Sequence, residues 1–152
     1  MDKLNGYLGD IGNKIPKQGL SKNSVSKGSV GWHIEHILLT IEVVIEALKR
    51  PKHGNYKWKF SLVKMLVFAT KTIPRGKAQS PAAVVPKGNM DNQSLKAHLD
   101  LTIEKIKELD NQNTHCYFNH PFFGDLKLKQ AIAFLEIHTH HHIKIMNDIL
   151  KG

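Results

Sequence analysis

Residues 30–48 constrain the fold most. Val30, Ile34, Ile37, Ile41, Ile45 and Leu48 recur at three- and four-residue intervals, the spacing that lines one face of an α-helix. A second row runs beside it through Trp32, His36, Leu39, Val43 and Ala47, while Glu35, Glu42 and Glu46 share a narrow polar strip. A helix apolar on two sides belongs deep inside a helical assembly. Ser29 is a suitable N-cap, and Pro51 and Gly54 close the run, so the pattern predicts a helix from Ser29 to about Arg50.

The rest of the chain follows the same period. Leu4, Tyr7, Leu8 and Ile11 predict a short amphipathic helix over Asp2 to Ile11, followed by a Gly-, Ser-, Asn- and Lys-rich loop from Gly12 to Gly28. Further helices are expected over Tyr56 to Thr72, from Asn92 or Ser94 to Leu109, and over Leu126 to Leu150. Between the first and second of these, Ile73 to Met90 carries Pro74, Pro81, Pro86, Gly76 and Gly88 and reads as an extended connection. No alternating pattern long enough for a strand competes, and Val84-Val85 is too short. The expectation is an all-α helical bundle in one domain, residues 1–152.

Composition removes several function classes. With one cysteine, Cys116, neither a disulfide framework nor a Cys-rich zinc finger is available, and a lone buried thiol is expected. No apolar run reaches the roughly 18–20 residues that span a bilayer, and the N-terminal residues lack a signal peptide's apolar stretch. A cytoplasmic protein without a membrane partner is the expectation. The net charge of +9 comes from 20 Lys and only 2 Arg, spread along the chain. Base-reading proteins lean on arginine's planar fork, so nucleic acid is not expected as a partner. Lysines spread in this way read first as a solvated bundle surface, and a basic rim that draws in an anionic small molecule stays open.

The informative residues are the histidines, ten in all. On the last helix, His138 and His142 fall within the stripe defined by Leu128, Ala131, Ile132, Leu135, Ile145 and Ile149. His140 projects to the opposite, solvent side, and His141 lies at the edge near Phe134. Side chains at i and i+4 lie about 5–6 Å apart at Cβ, so two imidazoles can converge on one ion. Zinc–nitrogen bonds of about 2.0–2.1 Å are reachable from that pair without distorting the helix. Two core histidines bonded to neighbours or water would show the same spacing. His36 sits among buried positions of the second helix, with His33 nearer a boundary, and an inward His36 would complete three ligands. Three neutral histidines leave coordination positions open, as in catalytic sites.

The remaining candidates are weaker. His98 reads as a rim residue, Glu35 as a surface charge, His53 as a turn residue, and His115 and His120 as loop residues, of which His120 is the one to follow. Nucleophile elbows, phosphate loops and His-Glu-x-x-His are absent.

Four motifs in order resemble the DinB-like superfamily of metalloproteins, and within it a small bacterial family. They are Val30-Gly31-Trp32-His33-Ile34-Glu35-His36-Ile37-Leu38, Ile73-Pro74-Arg75-Gly76-Lys77, His120-Pro121-Phe122-Phe123-Gly124 and Ile137-His138-Thr139-His140-His141-His142. The resemblance covers roughly Ser29 to Leu150. It implies a four-helix bundle, to which the residue pattern adds a short extra N-terminal helix, and a divalent ion, zinc or nickel, held by His36, His138 and His142. Characterised relatives include thiol S-transferases that use bacillithiol or mycothiol, and a maleylpyruvate isomerase. The chain departs in having a short first helix and a long loop before Ser29.

The leading expectation is therefore a metal-dependent transferase, or a related hydrolase or isomerase, acting with an anionic low-molecular-weight thiol. Arg75, with Lys77 in the same loop, is a candidate for a substrate carboxylate, with a structural tie from the long connection to a helix end as the alternative; Trp32 is a candidate for the pocket wall, with packing between helices as the alternative. The competing reading is a non-catalytic metal-binding or interaction module. The second apolar face of the long helix leaves a homodimer open.

Overall fold

A computed structural model describes residues 2–50, 56–57, 59–76, 79–111 and 116–151. The chain runs through α1 (Asp2–Gly12), α2 (Val30–Lys49), α3 (Leu62–Thr70), α4 (Asn92–Lys107), a hairpin of β1 (Tyr117–His120) and β2 (Gly124–Lys127), and α5 (Leu128–Leu150). Short 3-10 turns lie at Ile15–Lys17, Ala82–Val84 and Glu108–Asn111. The molecule is mainly helical with one small sheet.

Helix α2 packs on both α4 and α5, and α1 closes the ring by touching α4 and α5. The expected roles of two helices are thereby exchanged. The N-terminal helix is a full member of the ring because Leu4, Leu8 and Ile11, on one stripe, are all but completely buried. Each such side chain contributes about 1.5–3 kcal/mol on burial. The helix expected over Tyr56 to Thr72 begins only at Leu62, buries Val67, and lies outside the ring against α5. It starts there because Ser61 accepts a hydrogen bond from the Lys64 N–H and caps it.

The start of α2 follows expectation in its cap and exceeds it in its surroundings. The first N–H groups of a helix have no partner inside it. Here Val30 N–H donates to the Leu20 carbonyl, Gly31 N–H to the Gln18 carbonyl, and Trp32 N–H to Ser29 Oγ. The 12–28 segment is thus folded over the N-terminus of α2. Gly31 permits it, since a Cβ there would meet Gln18 Cβ and its carbonyl oxygen at 3.1 Å.

The expected second apolar face of α2 thins outward, with Val43 36% exposed. At the far end, α5 starts at Leu128 and Leu126 belongs to the hairpin, where Phe118 pairs with Leu126 and His120 with Gly124. The hairpin was absent from the sequence reading because its strands are four residues long, too short for a period of two to register. Gly124 takes φ +69°, a left-handed conformation that the three-residue connection needs. His120 Nδ1 accepts from the N–H groups of Phe122 and Phe123, and its ring stacks on Phe123 at 4.2 Å. The His120-Pro121-Phe122-Phe123-Gly124 motif is a turn built around an imidazole.

Candidate metal centre

His36, on α2, and His138 and His142, one turn apart on α5, meet in the ring's interior. One ligand nitrogen from each lies within 4.8 Å of the others. His36 and His142 are buried and His138 is half-buried. Their rings pack edge to face or tilted, with centroids 4.6–5.1 Å apart.

Hydrogen-bond direction assigns the nitrogens. The Val84 carbonyl, 2.7 Å from His36 Nδ1, can only accept, so His36 carries its proton on Nδ1 and presents a lone pair at Nε2. That Nε2 lies 3.2 Å from His138 Nε2. Two nitrogens bound tetrahedrally to one zinc at ordinary lengths are about 3.3 Å apart. His142 Nδ1 sits 2.9 Å from His33 Nδ1, and His33 Nε2 sits 2.9 Å from Ser26 Oγ. With its Nδ1 so engaged, His142 has Nε2 left to offer. For His142 to present a lone pair at Nε2 the chain must run outward, with His142 Nδ1–H donating to His33 and His33 Nε2–H donating to Ser26. Partners of this kind orient a ligating imidazole and raise its basicity. His138 Nδ1 is covered and has no partner among the described residues.

Burial also sets the protonation state. It holds His33 down at about 4, lowers His36 against the opposing Val84 hydrogen bond, and pushes His138 and His142 well below the ordinary imidazole value. Four neutral imidazoles at neutral pH result, the state in which nitrogen can ligate. The donor set fits zinc or nickel, both of which accept imidazole, and no carboxylate or thiol joins the group among the described residues.

Several expectations need correction. His33 was placed near a boundary; it is 2% exposed and bonded to His142. Lying three residues before His36, it shares that face, which was a usable signal. His140 does not face solvent freely but stacks on Tyr7 of α1 at 5.2 Å. Glu35 is not a free surface charge, and His98, half-buried and outside the cluster as a rim residue would be, is held there by ion pairs. His98 Nδ1 lies 2.9 Å from Glu35 and its Nε2 3.4 Å from Glu42, which also pairs with Lys105 at 3.0 Å. The equal seven-residue spacing of Glu35 and Glu42 and of His98 and Lys105 was the signal available. The carbonyl of Val84 had none, since any residue offers one.

Trp32 lies flat on the His36 ring, 5.1 Å between centroids and 12° between planes. Arg75 reaches Asp148 in the last turns of α5 at 2.8 Å, tying the long connection to that helix. His141 hydrogen-bonds the Ile73 backbone, and burial holds it down at about 4. Cys116 is a buried free thiol. His53, His115 and Lys77 lie outside the described residues.

A helical protein with an interior three-histidine cluster drawn from two helices is the class that fold and site define. The DinB superfamily model matches residues 14–146, and the chain belongs to that superfamily, whose members bind divalent metal. No curated protein and no solved structure matches it.

Proposed function

We propose that His36, His138 and His142 hold one divalent ion, zinc or nickel, and that the protein is a metal-dependent transferase acting with a low-molecular-weight thiol, or catalyses a related hydrolysis or isomerisation. The convergence of three neutral imidazoles from α2 and α5 carries this reading. Three protein ligands leave positions open for substrate, as catalytic sites do. When bound, the ion supplies Lewis acidity that makes a thiol acidic enough to ionise at neutral pH. The ring of α1, α2, α4 and α5 is read as the superfamily's four-helix bundle.

The chain's own groups do the rest. Val84 and Trp32 hold the His36 ring from edge and face. A net charge of +9 draws anionic substrates toward the molecule. For Arg75 to grip a substrate carboxylate, its pair with Asp148 must open; the pair is exposed and solvent-screened, so this costs little. Cys116 as a lone reduced thiol suits a cytoplasmic location. The competing module without turnover draws on the lack of a carboxylate base in the cluster among the described residues. A thiol ionised by the ion needs no such base.

Metal analysis by mass spectrometry on untagged protein tests the reading. About one equivalent of zinc or nickel in the wild type, lost in His138→Ala, is expected for a single site. No metal after incubation with both ions would overturn it. With metal present, screening anionic thiols against electrophiles separates the transferase from the module.

A further inference from the structure

The net charge of the chain is concentrated in one segment. Residues 47–90 contain ten Lys or Arg and no Asp or Glu, so the remainder is close to neutral against a total of +9. The same segment carries α3, whose apolar side chains point both ways. Val67 is buried and Phe68 packs against Phe123 on the inner side. About 100° per residue places Leu62, Met65 and Leu66 on the outer side, with Val63 at its margin. Leu62 and Leu66 are each 59% exposed, Val63 58% and Met65 53%. A helix apolar on both faces is ordinarily covered on both.

The patch extends past the helix. Phe60 and Phe122, 61% and 55% exposed, line one concavity of about 380 Å³ with Lys59. In sequence, Tyr56-Lys57-Trp58-Lys59-Phe60 alternates aromatic and cationic residues immediately before α3. Lys57, Lys59, Lys71, Arg75 and Lys87 are exposed along the segment.

We infer that α3, with residues 59–61 that lead into it and the neighbouring Phe122, forms a docking face for an anionic phospholipid surface. Leucine, valine and methionine enter the acyl boundary, while lysine heads meet lipid phosphates and aromatic rings sit between. Charge selects this occupant. A second copy would bring two acid-free, strongly basic segments together. A nucleic acid would satisfy the lysines but would leave the aliphatic side chains unused, since bases stack on aromatic rings. No helix among the described residues is long and apolar enough to cross a membrane. Lying in the interface makes a smaller demand, met by the nine residues of α3.

Vesicle co-sedimentation tests this on the intact protein, with phosphatidylcholine vesicles and with vesicles also containing phosphatidylglycerol. Wild type is expected to pellet with the anionic vesicles, on the order of ten-fold less with neutral ones, and to be released by salt. Leu66→Glu and Met65→Glu change exposed positions, so helicity and metal content hold while vesicle binding falls about ten-fold or more. Wild type remaining in solution with anionic vesicles, or either variant pelleting like wild type, would overturn the inference. Light scattering that shows a wild-type dimer split by Leu66→Glu would assign the face to a second copy instead.

Discussion

Helix α2 carries two histidine environments on opposite sides, and they differ in sign. Toward α5, the hydrogen-bonding partners of His36 and His33 are other imidazoles, a carbonyl and a hydroxyl, and burial keeps the two neutral. Toward α4, Glu35 and Glu42 close on His98, and the Glu35 hydrogen bond raises its pKa above the ordinary value. One side favours a lone pair and the other favours a proton. The difference lies in what the facing helix contributes: α5 brings no carboxylate to its imidazoles, whereas α4 brings its imidazole to two. A residue type alone therefore says little about ligation until the opposing face is known.

Acid gives the largest test of that contrast. His33, His120 and His141 are held at about 4, and His138 and His142 lie well below their ordinary value, so between about 6.5 and 4 the unfolded chain binds more protons than the native one. Their contribution to the stability of the metal-free protein is full above about 6.5 and falls as the pH drops, each linked proton costing about 1.4 kcal/mol per pH unit. Urea unfolding at pH 7, 6 and 5 checks this, and a flat midpoint would remove the buried, neutral cluster. Metal release over the same interval is expected, since protons compete for the same nitrogens.

The next largest effect belongs to His33. Chelator competition with zinc should show His33→Ala weakened by about 10–100-fold, as for other partners of ligating imidazoles. His33→Asn should recover part of the loss, because its amide oxygen can take the place of Nδ1 as acceptor. Equal affinity in all three proteins would reduce His33 to packing.

On the other side of α2 the sign reverses. Because the folded pKa of His98 is raised, its ion pairs stabilise fully below about 6.5 and lose their effect as pH rises through that raised value. Glu42→Gln should cost about 1 kcal/mol near pH 6, in line with a half-buried pair, and less at pH 8. A penalty that grows with pH would contradict the assignment. Smallest of all, Arg75→Ala should leave metal content and the unfolding midpoint nearly unchanged, and a clear loss of thiol-transfer rate in that variant would make Arg75 a substrate residue.

Much of this was legible along the chain. The four-residue interval of His138 and His142 within an apolar stripe, and the inward position of His36, select the three residues that the structure brings together. The Ser29 cap and the stripe of Leu95, Leu99 and Ile106 on α4 could be read because helix periodicity and capping act over a few residues. What escaped acts between distant segments. Ser26 and His33 join His142 across 109 residues of sequence, and Val84 reaches back 48 residues to His36. The exchange of roles between α1 and α3 belongs with these, since both carry apolar stripes and only packing shows which one is covered.

Local sequence by itself determined which segments are helical, the Ser29 cap that starts α2, and the main apolar stripe of each helix, because those properties depend on neighbours three or four positions away. Tertiary structure alone decided which nitrogen of His36 is free, which histidines remain neutral, and which apolar face stays in contact with water. Those outcomes depend on hydrogen-bond direction, desolvation and charge supplied by a different element, and no interval within one helix encodes them.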